Sequence, residues 1–318
     1  MLIYSGKRLL QAFVSIFIAS LLIFLVAEGL PGDVAQMVLG QYATEDSLAA
    51  LREQLGLNRP LHVRYFDWLT GVLRGDFGTS LSRSGLEVGP LLLRRARNSV
   101  VLAAGALIFV VPVSLVLGVA AGLNQDSWLD RSISVTTLGL ISFPSFITGL
   151  ILILVFSVYL DLLPASGAIE WGEGLWSQLP GLILPVLALS GVMTGYIVRH
   201  TRASVVKVMK SDYTRSAILK GMNSKRVVLN HVLRNALLPT VTVIAINLGW
   251  LLGGAVVVEA TFSYPGVGRL ILTAIKQRDV PIMEAGLLFV VGSYIFINLF
   301  TDLLYSFLNP RLRYGGEE

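Results

Sequence analysis

The sequence predicts an all-α, polytopic membrane protein with six transmembrane helices. Two observations lead there. The first is composition: 54% of the residues are apolar and 14% charged, with a mean hydropathy of +0.72, whereas a soluble domain carries about 25% charged residues. The second is arrangement. A helix needs roughly 20 apolar residues to cross a hydrocarbon core of about 30 Å, and six runs approach or exceed that length: Leu9–Glu28, Ser99–Leu123, Ser132–Leu160, Leu179–Val198, Leu237–Val258 and Ala285–Leu308. The second to the fifth contain no charged residue. Lipid leaves the backbone to satisfy its own N–H and C=O groups, and runs this long without period-two alternation do so as helices.

The first run follows Lys7-Arg8, as a secretory signal would. It is longer than the 7–15 residues of a signal core and no small-x-small site follows it, so it reads as a retained span. The loop after it is ordered in sequence. Thr44-Glu45-Asp46-Ser47 opens a helix with a cap and an acidic first turn. Leu48, Leu51 and Leu55 recur at helical spacing and Gly56 stops it. After the turn at Asn58-Arg59-Pro60, Val63, Tyr65, Phe66, Trp68, Leu69, Val72 and Leu73 form a second apolar-aromatic helix ending at Gly75. Two compatible readings stand for these helices: anchors on the membrane surface with aromatics at headgroup level, or docking elements for a partner. Within the later spans, Pro112, Pro144, Pro185 and the Ser142–Ser145 region are expected to interrupt regular helix. Such interruptions serve either as packing kinks or as openings of backbone groups to a cargo.

Cysteine is absent, which excludes disulfides and thiolate metal sites, and His62, His200 and His231 show no ligand spacing. The net charge of +5 is distributed by side rather than gathered for nucleic acid. With the N-terminus cytoplasmic, the inside holds Lys7, Arg8, Arg131, nine basic residues from Arg199 to Arg234, Arg311 and Arg313. The outside holds eleven, eight of them in the first loop, 29–98. Loops longer than about 60 residues are largely exempt from the positive-inside rule. The two short outer loops carry only Arg269, Lys276 and Arg278, which favours cytoplasmic N- and C-termini. Arg94, Arg95 and Arg97 beside the second span point the other way.

The stretch with most to say is 199–238, where nine basic residues face one acidic residue, Asp212, between two apolar runs. Val205, Val206, Val208 and Met209 continue the fourth span into water, Asp212 caps a short helix through Leu219, Gly221 breaks it and Ser224 caps the next. Ala217 and Gly221 stand four apart, which on a helix puts two small residues on one face, open to close approach by a partner. A plain cytoplasmic hairpin obeying the charge rule is the alternative.

Ser216-Ala217 followed by Gly221, with Leu238-Pro239 closing the island, resembles the EAA loop of ABC-importer permeases. Gly56-Leu57-Asn58-Arg59-Pro60, Arg74-Gly75-Asp76-Phe77-Gly78-Thr79-Ser80-Leu81, Gly253–Glu259, Phe262–Arg269 and Asn309-Pro310-Arg311 look like the dipeptide, oligopeptide and nickel branch of that family. Arg215 stands where the family has glutamate and Ser216 where it has alanine; the branch carries similar substitutions. The resemblance implies a type I ABC-importer permease fold. It implies an N-terminal span with outer loop over 1–94, a transmembrane core over 95–307 with the coupling loop 199–238, and a short cytoplasmic tail, 308–318. It implies ATPase docking through Asp212, Arg215, Ser216, Ala217, Lys220 and Gly221. It further implies a second homologous permease subunit, two ABC ATPase subunits that bind ATP and magnesium, and an extracytoplasmic solute-binding protein. The place is the bacterial inner membrane, and the cargo class spans dipeptides, longer peptides, glutathione-like molecules, opines and nickel chelates.

Charges near span ends are the remaining candidates, because intramembrane charge is costly and commonly functional. Glu28 and Asp161 fit interfacial placement. Glu259 and Glu284 are expected to line a mouth or pair with Arg269 or Arg278, and Asn298 with Asp302 to hold helices or face a pathway. No G-x-x-x-x-G-K-[ST] occurs, so the chain carries no P-loop, and no catalytic constellation marks it as an enzyme. An ion-driven secondary transporter is the alternative function; it predicts mid-span charges and an inverted repeat. A membrane scaffold would not need the basic loop.

Overall fold

The computed structural model describes residues 2–29, 34–39, 43–54, 56–83, 85–168 and 175–308. Leu55, the ending Asn309-Pro310-Arg311 and the tail beyond Leu308 lie outside them. The first span is α1 (Leu2–Glu28), followed by α2 (Val34–Leu39), α3 (Glu45–Gln54) and α4 (Leu61–Leu73). Thr44 Oγ1 accepts from the Ser47 N–H, as a cap should, and Gly56 leaves α3 with φ +66°. Next come α5 (Val88–Leu123), α6 (Trp128–Ser142) and α7 (Ser145–Leu152), the last continuing as a π-helix, Ile153–Tyr159. Then α8 (Leu175–Met209), α9 (Asp212–Leu219) and α10 (Ser224–Val227) lead through a second π-helical turn, Val228–Leu233, into α11 (Arg234–Thr261). The described chain ends with α12 (Val267–Gln277) and α13 (Val280–Leu308).

Helices α1, α5, α8 and α13 are each long and apolar enough to cross a bilayer. Two bent pairs bring the total to six if each is one span: α6 with α7 and its π-helical continuation, and Ser224–Leu237 with Pro239–Gly249. The third run is therefore not the straight helix its composition suggests. Its two arms meet at 106°, because Pro144 lacks an N–H and drives Phe143 into extended backbone (ψ 127°). Pro112 and Pro185, by contrast, sit inside the continuous helices α5 and α8 and do not break them. Neighbouring helices and polar side chains can satisfy a proline's freed carbonyl at membrane depth.

The chain divides into two compact units whose boundaries fall inside α5, between α11 and α12, and inside α13. One comprises residues 99–265 together with the chain from Ile297. Its core stacks Leu102, Ala106 and Val110 of α5 on Leu184, Ala188, Met193 and Ile197 of α8, with Leu251, Ala255 and Val258 of α11. Glycine sets the distances. A Cβ at Gly118 would lie 2.5 Å from Thr201 Cβ, and one at Gly122 would lie 2.6 Å from Val205 Cβ. On its other side α8 offers Gly195 to α6, where a Cβ would come within 2.7 Å of the Thr137 carbonyl oxygen. Phe262 and Tyr264, from the Phe262–Arg269 segment, are fully buried at the end of α11, and the Gly167 N–H donates to the Phe262 carbonyl at 2.8 Å.

The other unit comprises residues 2–98 and 266–296. Here α4 lies along α1: Tyr65 packs edge-on to Phe24 with centroids 5.4 Å apart, its hydroxyl is 2.9 Å from Ser20 Oγ, and Arg64 pairs with Glu28. Tyr65 and Trp68 thus pack on Phe24 of the first span, while Leu61, Phe66 and Leu73 stay exposed. The segment Arg74–Leu81 folds as a tight turn, with Gly75 and Gly78 at positive φ and Asp76 Oδ1 accepting from the Gly78 N–H. Asp279, just before α13, fastens it: Ser80 Oγ, Ser82 Oγ and the Ser82 N–H all donate to its carboxylate.

Burial pushes the Asp279 carboxyl up, but the hydrogen bonds from Ser80, Ser82 and the Leu81 N–H outweigh it and hold the group below the usual carboxylate range. A depressed acid contributes stability that is complete above its unfolded value of about 4 and disappears as pH falls through the lower folded value. Protection of the Ser82 amide, taken relative to its intrinsic exchange rate at each pH, is therefore expected to be high at pH 6 and to fall below about pH 4. Asp279→Asn should show low protection of the Ser82 amide throughout, at a cost of about 1–3 kcal/mol.

Candidate functional site

The basic element 199–238 is built on the ends of three long helices. At about 1.5 Å per residue the 35 residues of α8 span about 52 Å, well beyond a core of about 30 Å. Its last turns meet Val119 and Leu123 of α5, and Ser204 Oγ donates to the Ala236 carbonyl of α11 at 2.8 Å. Onto this platform α9 packs Ala217, which is 5% exposed against Val205, Val227 and Val232.

That placement corrects the small-residue face. Ala217 points inward, and Gly221 is outside α9, with φ +75° and open space where a Cβ would be. Gly221 is required for the left-handed turn, not for close approach. The caps shift by one residue as well: Ser211 precedes α9, with Asp212 in its first turn, and Asn223 caps α10 by accepting from the Lys225 N–H. What α9 presents to solvent is apolar and basic together. Leu219 is 80% exposed, Ile218 51% and Tyr213 46%, beside exposed Asp212, Arg215, Ser216 and Lys220. Sequence reasoning missed these three apolar residues, although their clustering on a short polar helix was a readable signal.

A second feature it missed lies at the start of α6. Ser127 accepts from the Asp130 N–H, and Asp130, buried, takes a two-pronged bond from Arg202 of α8: Nε to Oδ1 at 2.5 Å and Nη2 to Oδ2 at 2.6 Å. Ser127-x-x-Asp130 before an apolar run is a capping-box pattern and would have marked the turn.

The span-end acids fall into two kinds. Glu259 is 1% exposed in the last turn of α11 and accepts from Ser99 Oγ at 2.6 Å, so it braces α5 against α11. Glu284 is buried in the first turns of α13 with Oε1 lacking a hydrogen bond among the described residues, where no ion pair joins it to Arg278. Asn298 and Asp302 are half-buried one turn apart on α13, and Thr301 between them donates to the Ala245 carbonyl of α11 at 3.2 Å. No group of three His, Cys, Asp or Glu able to hold a metal occurs among the described residues.

Comparison with known proteins places this architecture. Residues 114–314 match the family described as "Binding-protein-dependent transport system inner membrane component", and residues 1–85 match its N-terminal counterpart. The chain belongs to this family. It is an ABC-importer inner-membrane permease of the peptide and nickel branch, a transport protein rather than an enzyme. Similar relatives include the glutathione transport system permease protein GsiC of Salmonella choleraesuis (strain SC-B67), 39% identical over 314 residues, and that of Escherichia coli (strain K12), 38% identical over 314. Each alignment covers 99% of this chain and 100% of the relative.

The Asp130–Arg202 pair tests how firmly the permease holds α6 to α8. Asp130→Ala leaves Arg202 uncompensated at a part-buried site, for an expected loss of about 1–3 kcal/mol, below the 3–5 of a fully buried pair because the Arg202 side chain is 29% exposed. Thermal unfolding of Asp130→Ala, Arg202→Met and the double variant should show the double losing less than the sum of the singles.

Proposed function

We propose that this permease forms half of the translocation pathway of an ATP-driven importer, with α9 as the contact for an ATPase subunit. The observation that carries the reading is the exposed Tyr213, Ile218 and Leu219 set among Arg215 and Lys220, on a helix seated against the ends of α5, α8 and α11. A knob of apolar side chains suits insertion into a partner's cleft, and the basic flanks orient it. Because Ala217, Val227 and Val232 are buried together, displacement of α9 carries the ends of the three spans with it. ATPase closure would in this way rock the pathway between inward and outward access. The complex comprises a second homologous permease, two ATPases that bind the ATP and magnesium, and a solute-binding protein that delivers cargo to the outer face. Both termini are cytoplasmic. Asn298, Asp302 and Glu284 are assigned to the pathway or its gate, while Glu259 braces α5 against α11. The likeness to permeases named for glutathione supports a peptide-sized cargo, with glutathione the first to test. Nothing in the comparisons favours the ion-driven alternative.

Leu219→Asp should leave the chain inserted and the complex assembled to the extent that α9 folds normally, since the side chain is exposed, yet cut glutathione uptake into cells at least about tenfold, the effect of roughly 1.4 kcal/mol of lost coupling. ATP hydrolysis by the purified complex should no longer respond to cargo. Normal uptake by the variant removes the docking role. Because the chain has no cysteine, orientation is read directly: a cysteine at Ser82 should react with an impermeant reagent in intact cells and one at Ser224 should not.

A further inference from the structure

We infer that the crevice between α6 and α8 is a binding site for an anionic phospholipid. The crevice has a volume of about 160 Å³. Leu138, Ile141 and Val198 form its apolar wall, and Ser134, Arg199 and Arg202 stand among its lining residues. Gly195 brings α8 close to α6 at Thr137, and the Asp130–Arg202 pair ties the same two helices further along.

Three observations select the occupant. The first is the chemistry of the lining, a hydroxyl and guanidinium groups beside aliphatic wall, which matches a phosphate joined to an acyl chain and not a water-soluble anion alone. Basic pockets between spans bind anionic headgroups in this way. The second is available charge. Arg202 is committed to Asp130, whereas Arg199 is exposed and has no ion pair among the described residues. Arg131, on the first turns of α6, is exposed as well. Two acids oppose them: Asp130, which takes up Arg202 and accepts from Ser134, and Asp126, which precedes α6 and accepts from Gln125. The third is depth. Trp128 is 81% exposed at the start of α6 and Tyr196 is 43% exposed one turn before Arg199. Exposed aromatics of this kind mark headgroup level, and they lie within three residues of Arg131 and Arg199 in the chain. A lipid there would put its phosphate at Arg199, on the side away from Asp130, whose Oδ1 accepts from Ser134 Oγ at 3.4 Å, and one stretch of acyl chain along Leu138 and Ile141.

The test is native mass spectrometry of the full-length chain purified with its native partners, titrated separately with phosphatidylglycerol, phosphatidylcholine and inorganic phosphate. One phosphatidylglycerol should be retained in preference to phosphatidylcholine. Arg199→Gln should weaken it about fivefold, the contribution of one basic residue near a headgroup, while Arg199→Lys keeps it. Leu138→Trp, which fills the apolar wall, should also remove it. Equal retention of phosphatidylcholine, or no effect of Arg199→Gln, overturns the assignment. Inorganic phosphate binding as tightly and insensitive to Leu138→Trp overturns the lipid in favour of a free anion. A photo-crosslinker at Leu138 that labels a partner protein in place of lipid overturns it too. None of these readouts depends on transport, so they stand or fall apart from the proposed coupling role of α9.

Discussion

Apolar helices in lipid gain nothing from hiding apolar surface from one another, since hydrocarbon already surrounds them, so their association rests on close packing and on polar contacts. In this permease that requirement is met along α8. Gly118 and Gly122 of α5 let Thr201 and Val205 of α8 approach to where no side chain could stand, and Gly195 of α8 does the same for α6. The buried core of Leu102, Ala106 and Val110 against Ala188, Met193 and Ile197 continues the α5–α8 contact, and α11 closes it. A side chain at any of the three glycines would force the helices apart and dilute every dispersion contact on either side.

The same seam explains how a short basic helix at one end can matter to the spans. Helix α8 does not stop at the edge of the hydrocarbon but runs on to Met209, and α9 and α10 fold back onto that extension. The Ser204 bond to the Ala236 carbonyl and the buried Val232 bind the start of α11 to the same surface. A force on α9 therefore meets a packed body, not a flexible loop. The two π-helical turns, at Ile153–Tyr159 and Val228–Leu233, are placed where spans meet bent or looped segments. Turns of this rare geometry are frequent at functional positions.

Polar groups at the margins do structural work that a count of charges does not reveal. Asp279 holds a turn nearly two hundred residues earlier in the chain, Glu259 braces α5 against α11, Glu28 meets Arg64 and Asp130 meets Arg202. In each case a carboxylate that water would otherwise solvate is given fixed donors, the condition under which burial of charge is tolerable. Glu284 is the exception among them, with one oxygen left without a hydrogen bond among the described residues.

Much of this was legible in one dimension. Hydropathy located the long spans because helix length in a bilayer is set by hydrocarbon thickness, and the caps and stops at Thr44, Gly56 and Gly75 were readable because they act on their nearest neighbours. The family was legible because its motifs extend from the outer loop to the end of the last span. Local rules failed where partners are distant. Pro112, Pro144 and Pro185 look alike as residues, but only Pro144 lies where the chain turns through 106°; helical packing around the other two keeps their helices continuous. Ala217 and Gly221 have the right spacing for a shared helical face, yet α9 ends between them and its register is set by the hydrophobic contact with Val205 and Val227, which turns alanine inward and leaves Tyr213, Ile218 and Leu219 outside. Composition and period thus determined that the chain crosses a membrane as helices and carries a basic segment between two spans, because those follow from solvent and from neighbours in sequence. Which face of each helix is buried, and which charges meet, was decided only by tertiary packing, because those energies belong to contacts between residues that the sequence places far apart.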